Sequence, residues 1–279
     1  MTGRFSYRRG RQEEETAVSE YITSRDNPRV KAICRLRSSA KARREAGLFL
    51  CEGARLCAEA AASGAVESAF FTEEARTRWP DVVAALEEAA RSAFCVSDGV
   101  MAKISGVESP QGVLAACRAG LVHRRLGPID PGGHYLLLDG VADPGNLGTI
   151  VRSGCAFSVT GIIAGEGGAD FLGDKVVRGA MGAIFKVPLT VVPDLAEAVG
   201  ELQAAGLPVY GSALHRESVP VGQIDWKSPC ALVVGNEGAG ISPQVAQRCD
   251  KLVEIPMAPG CESLNAGVAA SLFLWEMAR

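Results

Sequence analysis

Short apolar runs separated by helical stretches dominate the C-terminal half of the chain. They lie at Tyr135–Leu138, Gly161–Ala164, Leu207–Tyr210, Ala231–Val234 and Leu252–Ile255. Helical patterns follow at Asp194–Ala205 and Leu264–Met277. Short aliphatic runs that alternate with helices predict a parallel sheet covered by helices on both faces. In such sheets ligands bind at the carboxyl ends of the strands.

The N-terminal half shows a second α/β pattern. Asn27 can cap a helix that begins at Pro28, and Val30, Ile33 and Leu36 would form its buried stripe. Further strand-like and helix-like pieces alternate at Leu48–Cys51, Ala54–Ala62, Ala69–Thr72, Val82–Arg91, Ala93–Val96 and Gly112–Cys117. We therefore expect a small α/β domain at 22–118 and a larger one at 134–279. The glycine- and proline-rich stretch 119–133 is predicted to link them, after a flexible tail at 1–21.

Charge is distributed unevenly along the 279 residues. Residues 1–50 hold 12 Lys and Arg against 6 Asp and Glu, whereas residues 132–279 hold 9 against 15. Within the segment 25–44 one acid, Asp26, accompanies eight cations: Arg25, Arg29, Lys31, Arg35, Arg37, Lys41, Arg43 and Arg44. This basic segment is either the solvated face of a helix or a surface that contacts RNA phosphates.

Other composition features narrow the class of protein. The nine cysteines include no Cys-x-x-Cys pair and the three histidines are far apart in sequence, so neither a metal site nor a disulfide framework is indicated. No apolar stretch approaches the length of a membrane span, and no apolar segment follows the first methionine. We expect no membrane partner and a cytoplasmic location.

Three polar segments follow predicted strands in the larger domain. The first runs from Asp139 to Arg152 and places Asn146 at the start of a helix. The second, Val233–Ser242, combines glycines that let backbone approach a ligand with the acid Glu237. The third is Ile255–Asn265. Their glycine spacing fits neither a dinucleotide fingerprint nor a Walker A loop, which disfavours a nucleotide-cradling enzyme.

These segments resemble the three signature motifs of the SpoU (TrmH) RNA 2′-O-methyltransferases of the SPOUT superfamily. The matching residues are Asn-x-Gly-x-x-x-Arg ending at Arg152, Gly-Asn-Glu-Gly from Gly235, and Ile-Pro-Met from Ile255 with Ser-Leu-Asn from Ser263. Residues 22–118 are similar to the L30e-like substrate-binding domain of many members. The resemblance implies a deep trefoil knot in the C-terminal domain, an exception among folds. It also implies S-adenosylmethionine as methyl donor without a metal, and a homodimer whose active site is completed across the interface.

The resemblance also assigns roles to residues. Donor contacts fall on Gly235, Ile255, Leu264, Ser212, Ala213 and Met257, and the catalytic set is Arg152, Asn146, Glu237, Ser263 and Asn265. The family's usual assignment makes Arg152 activate the ribose 2′-hydroxyl. Because a guanidinium keeps its proton at any ordinary pH, we expect Arg152 instead to hold phosphate and stabilise the developing alkoxide.

Alternatives remain open at this stage. The substrate implied by the resemblance is 23S rRNA, with tRNA as the second choice. A catalytically silent RNA-binding paralogue would be expected to lack Arg152 or the segment 263–265, and both are present. A methyltransferase acting on small molecules or proteins would have no obvious use for the basic segment.

Overall fold

A computed structural model describes residues 20–215, 217–261 and 263–279, so most of the predicted tail lies outside the described residues. The N-terminal half forms a five-stranded sheet in the order β1-β4-β3-β5-β2. Its strands are β1 (Glu20–Ile22), β2 (Leu48–Glu52), β3 (Val66–Phe71), β4 (Ser92–Val96) and β5 (Val113–Arg118). Its helices are α1 (Pro28–Ser38), α2 (Ala40–Ala46), α3 (Ala54–Ala62), α4 (Glu73–Arg78), α5 (Pro80–Ala89) and α6 (Asp98–Ile104).

The start of α1 is as predicted. The Oδ1 atom of Asn27 accepts a hydrogen bond from the backbone amide of Arg29 at 2.9 Å, and Pro28 occupies the first turn. Val30, Ile33 and Leu36 are buried in a core that they share with α6 and the sheet. The predicted period of this helix is therefore confirmed.

The C-terminal half forms an eight-stranded sheet in the order β11-β13-β10-β12-β7-β8-β9-β6, and every neighbouring pair in it is parallel. This confirms the predicted parallel sheet. Its strands are β6 (Val122–His123), β7 (Tyr135–Asp139), β8 (Gly161–Gly165), β9 (Leu189–Val192), β10 (Val209–Ser212), β11 (Val219–Pro220), β12 (Ala231–Gly235) and β13 (Lys251–Glu254). Its helices are α7 (Pro144–Ala156), α8 (Asp174–Ala180), α9 (Leu195–Ala204), α10 (Pro243–Ala246) and α11 (Ala266–Ala278).

Several element boundaries differ from the sequence prediction. Strand β10 begins at Val209 rather than Leu207, because Leu207 closes the end of α9 by donating its amide to the Leu202 carbonyl at 3.1 Å. Helix α11 begins at Ala266 rather than Leu264, because Asn265 caps it. The segment expected to be a plain linker contains β6, which pairs with β9 at the edge of the larger sheet. The domain limits 22–118 and 134–279 remain predictions.

The two halves share a continuous interface. Phe49 on β2 lies 6.0 Å, ring centroid to centroid, from Phe185, which is partly buried and packs against the buried cluster that contains Phe49 and spans the two sheets. A carboxylate of α8, Asp174, accepts hydrogen bonds from Arg37 of α1 and from Arg178. Because α8 also packs along α7, the N-terminal half is fixed against the helix that carries Asn146 and Arg152.

Candidate active site

A pocket of about 490 Å³ opens at the carboxyl ends of β10, β12 and β13. The structure brings to its walls every residue predicted to contact the donor: Gly235, Ile255, Leu264, Ser212, Ala213 and Met257. Glu237 and Ser263 of the predicted catalytic set also line it. The volume is in the range of small-molecule sites. Among the residues described, no group of three or more His, Cys, Asp or Glu side chains is arranged to hold a metal ion.

A tight backbone hairpin forms one rim of this pocket. Asn236 and Gly240 exchange two backbone hydrogen bonds of 2.9 Å each. A Cβ atom on Gly235 would lie only 2.2 Å from the carbonyl carbon of Gly240, so only glycine fits there. The side chain of Asn236 holds the turn, because its Oδ1 accepts from the amides of Gly238 and Ala239 at 2.9 and 3.0 Å. The sequence motif Gly-Asn-Glu-Gly includes Asn236, but the sequence alone assigned it no role.

One hydrogen-bonded chain joins the three sequence segments. The Nδ2 atom of Asn265 donates to Oδ1 of Asn146 at 2.7 Å, and Nδ2 of Asn146 donates to Oε1 of Glu237 at 2.8 Å. Asn146 is 9% exposed, so its amide is held in place by both neighbours. Asn265 also caps α11 by accepting from the Val268 amide at 3.2 Å. The structure thus connects residues that lie 91 and 119 positions apart in sequence.

Glu237 organises the loop that leads into α7. Its carboxylate accepts from the backbone amides of Ala142 and Asp143, each at 3.2 Å. Partial burial acts to raise the pKa of Glu237, but the hydrogen bonds from Asn146 and from the backbone outweigh it and hold the pKa below its ordinary value. The cap of α7 is Asp143, whose Oδ1 accepts from the Asn146 amide at 2.8 Å, so Asn146 lies in the first turn and is not itself the cap.

Arg152 lies apart from this chain of contacts. It is exposed on α7, is absent from the pocket walls and makes no hydrogen bond or ion pair with any described residue. Helix α11 packs beside α7, with the hydroxyl groups of Ser153 and Ser271 2.8 Å apart. The outer side of α11, together with Leu264 just before it, exposes an apolar stripe, here called the α11 stripe: Leu264, Val268, Leu272 and Trp275, which are 40%, 48%, 43% and 53% exposed.

The basic segment is divided by the tertiary structure. Six of its eight cations are exposed: Arg25, Arg29, Lys31, Arg35, Lys41 and Arg44. Arg37 and Arg43 were expected to contact RNA phosphates, but in the structure each pairs with a carboxylate of the protein. Arg37 binds Glu52 at 3.1 Å and the buried Arg43 binds Asp170 at 2.8 Å. These carboxylates come from outside the basic segment, so counting charges within 25–44 could not reveal the pairs.

Family models match both halves of the chain. The model described as the SpoU rRNA Methylase family matches residues 133–275. The model described as the MRM3-like substrate binding domain matches residues 27–115. The two matches together cover most of the described fold.

Individual relatives match over most of their length. The chain is 33% identical over 257 residues to the 23S rRNA (guanosine(2553)-2′-O)-methyltransferase RlmP of Bacillus subtilis (strain 168), covering 92% of this chain and 98% of the relative. It is 34% identical over 219 residues to the 23S rRNA (guanosine-2′-O-)-methyltransferase RlmB of Ralstonia nicotianae, covering 77% and 88%. An AdoMet-bound rRNA methyltransferase from Sinorhizobium meliloti superposes with a TM-score of 0.80 at 30% identity, covering 93% of this chain and 97% of the other.

Proposed function

The chain belongs to the SpoU rRNA methylase family, and we propose that it transfers a methyl group from S-adenosylmethionine to a guanosine ribose 2′-hydroxyl in 23S rRNA. The observation that carries the proposal is the Asn265–Asn146–Glu237 chain, which joins the three motif segments beside the 490 Å³ pocket. The choice of 23S rRNA and of guanosine is supported by the names of the two relatives. Methylation of tRNA is the alternative outcome of the test below.

The pocket fits the methyl donor. Apolar side chains of Ile241, Leu252 and Phe273 line it and suit the flat faces of an adenine. The Gly235–Gly240 crossing leaves bare backbone at the rim, where amide and carbonyl groups are available to a polar ligand. When bound, the donor supplies an electrophilic methyl group on a positively charged sulfur. Gly235, Ile255, Leu264, Ser212, Ala213 and Met257 would hold it.

The remaining residues serve the RNA side of the reaction. Glu237, Asn146 and Asn265 keep the loop before α7 and the start of α11 in a fixed relation. Ser263 is exposed at the pocket wall, where its hydroxyl can meet the ribose. Arg152 would bind a phosphate and stabilise negative charge that develops on the 2′-oxygen. Fixed alignment of the hydroxyl with the methyl group is worth roughly 7–11 kcal/mol of barrier in favourable cases.

We propose that a second copy of the chain completes the active site. Arg152 has no partner among the described residues and is outside the pocket of its own chain, while the neighbouring α11 stripe is apolar and exposed. Contiguous exposed apolar patches, unlike single apolar side chains, mark surfaces that bind another protein. A two-fold dimer through α11 would bury this stripe and present Arg152 to the pocket of the other protomer.

The predicted trefoil knot is retained as part of this proposal. In the larger sheet, β10 lies between β13 and β12. Helix α11 follows β13 in the chain, yet it packs on α7 and β12. Between these two elements, Ile255, Met257, Ser263 and Leu264 line the pocket at the ends of β10 and β12, which supports a return of the chain across those ends. This return path is what threading through a preceding loop requires.

A cytoplasmic location is also proposed. All nine cysteines are free, which suits a reducing compartment. Within the described ranges, no helix combines the length and apolar character that crossing a bilayer requires.

The test is to map 2′-O-methyl groups in 23S rRNA and tRNA from cells with and without the gene. We expect one guanosine of 23S rRNA to lose its methyl group, and to regain it when the wild-type gene, but not an Arg152→Ala variant, is returned. Loss confined to tRNA would replace the proposed substrate. An unchanged methylation map would overturn the proposal.

A further inference from the structure

A second groove of about 770 Å³ lies where the two halves of the chain meet. Helix α2 contributes Arg43 and Arg44, and the segment after β6 contributes Arg124. The opposite wall is the glycine-rich loop that follows β8, from Gly165 to Leu172. None of these residues lines the donor pocket.

The cations of this groove differ in how they are held. Arg43 is fixed, because Asp170 accepts from its Nε and Nη2 at 3.1 and 2.8 Å and the Leu36 carbonyl accepts from its Nη1 at 2.7 Å. Arg44 and Arg124 are exposed and have no hydrogen bond or ion pair with any residue the structure describes. Asp170 is paired with Arg43, which leaves Glu166 as the other acid in the lining of the groove.

The loop wall of the groove is attached to the active-site loop. The amide of Ala169 donates to the Val141 carbonyl at 2.9 Å, and a Cβ atom on Gly168 would lie 3.0 Å from that same oxygen. The next two residues after Val141 donate their amides to Glu237. The wall of the groove and the carboxylate of Glu237 are therefore connected through the backbone segment 141–143.

We propose that this interdomain groove binds the phosphodiester backbone of the substrate RNA beside the methylated nucleotide, with Arg44 and Arg124 as phosphate ligands. Two guanidinium groups, one on α2 and one after β6, without hydrogen-bond or ion-pair partners among the described residues, suit two phosphates of one strand. Arg44 also belongs to the exposed basic segment, so the groove continues that surface toward the active site. The inference rests on the proposed function, since it takes RNA to be the substrate.

The test compares Arg44→Ala, Arg124→Ala and their double variant with Arg248→Ala. Arg248 is an exposed arginine outside the groove whose side chain has no ion pair in the described structure. The Kd for a protein-free 23S rRNA transcript is measured across a series of salt concentrations. We expect the double variant to weaken binding roughly tenfold and to reduce the salt slope by about one per arginine.

Further readouts separate RNA contact from general damage. The KM for the transcript should rise in the double variant, whereas affinity for S-adenosylmethionine and the Tm should match those of Arg248→Ala. A Glu166→Gln variant should bind the transcript more tightly, because it removes the acid that repels phosphate. If the double variant binds and methylates the transcript as Arg248→Ala does, the proposal that this groove binds RNA is wrong.

If the proposed function is wrong, the experiments give a different set of results. In that case the wild-type chain methylates neither 23S rRNA nor tRNA, yet the loss of salt-dependent binding in the double variant still supports the groove. Normal methylation together with unchanged binding in the double variant rejects the groove alone.

Discussion

The two walls of the active site are held in place in different ways. On the proposed donor wall, Asn236 holds the rim hairpin, and the Asn265–Asn146–Glu237 chain links this wall to the loop before α7 and to the start of α11. The proposed acceptor wall, which would face the RNA, includes Arg152, exposed on α7 with no hydrogen bond or ion pair among the described residues. The donor wall is preorganised by the chain itself, whereas the acceptor wall lacks the contacts that would fix its main cation.

This difference indicates where the site depends on other molecules. A charged side chain without partners keeps its conformational freedom, so it cannot be a precise electrostatic stabiliser until a ligand or a second protomer orders it. The apolar stripe on α11 lies on the helix that packs against the one carrying Arg152. We therefore expect donor binding to be a property of one chain, and methyl transfer to require a dimer and RNA.

The largest effect is expected for Gly235→Ala on the donor wall. The new methyl group would meet backbone atoms of Gly240 and Ile241 at 2.2–2.4 Å, and backbone cannot swing aside as a side chain can. Binding of S-adenosylmethionine, measured by calorimetry, should fall by at least a hundredfold, and activity should fall with it. The control is Gly238→Ala on the same hairpin, where the nearest atom is 3.6 Å away. Equal donor affinity in the two variants would mean that the close crossing does not shape the pocket.

Arg152→Ala tests the acceptor wall. We expect turnover to fall by about 10²–10³-fold, the range seen when one transition-state stabiliser is removed. Donor affinity and Tm should be unchanged, because Arg152 is exposed and has no hydrogen bond or ion pair with the residues that the structure describes. Arg152→Lys should recover part of the rate, since it keeps the charge without the planar fork. Near-normal turnover in a folded Arg152→Ala enzyme would remove this residue from the mechanism.

Mixing two inactive variants tests whether the walls come from different protomers. In a heterodimer of Gly235→Ala with Arg152→Ala chains, one site regains both an intact donor wall and Arg152 if Arg152 acts across the interface. Random pairing should then restore about a quarter of the wild-type activity. If Arg152 serves its own chain, isolated heterodimers stay inactive. Adding Leu272→Glu to both chains should abolish any recovery by disrupting the α11 stripe.

Sequence patterns predicted much of the larger fold because its strands are short aliphatic runs. The continuous apolar runs at β7, β8 and β12 are visible in the sequence, and the structure forms strands at these predicted positions. Strand β9 was missed, and β6 was taken for linker. Strand β9 lies inside the sheet, where it pairs with both β8 and β6. Strand β6 is the edge strand and has only two residues, too few for a pattern. Edge strands of this kind are defined by pairing with a neighbour and not by local sequence.

The site could be predicted where its residues are adjacent in sequence, and less well where they meet only in the fold. Most of the residues predicted to contact the donor occur within short motifs, and the structure collects them around one pocket. No local sequence pattern indicates that Arg152 lies outside that pocket. The engagement of Arg43 depends on Asp170, which is 127 positions away, so the basic segment alone could not reveal it.

A smaller effect is expected for Glu237→Gln, which weakens the link between the two walls. The carboxylate accepts from Asn146 and from the amides of Ala142 and Asp143, and a glutamine keeps one acceptor oxygen for these three donors. We expect kcat/KM to fall roughly tenfold, the cost of losing one or two such hydrogen bonds. Glu201→Gln on α9 makes the same charge change far from the site and should have no effect. An equal loss in both variants would point to net charge as the cause.

The smallest effect is the pH dependence of donor binding. Because hydrogen bonds hold the pKa of Glu237 below its ordinary value of 4.5, the folded site favours the carboxylate form. Its contribution is complete above the ordinary value and is lost as the pH falls through the lowered one. Affinity for S-adenosylmethionine should therefore be flat from about pH 8 to about pH 5 and weaken only at lower pH. The decrease should be shallower in Glu237→Gln. A decrease already at neutral pH in the wild-type chain, absent from Glu237→Gln, would show that the loop holds this carboxyl in its protonated form.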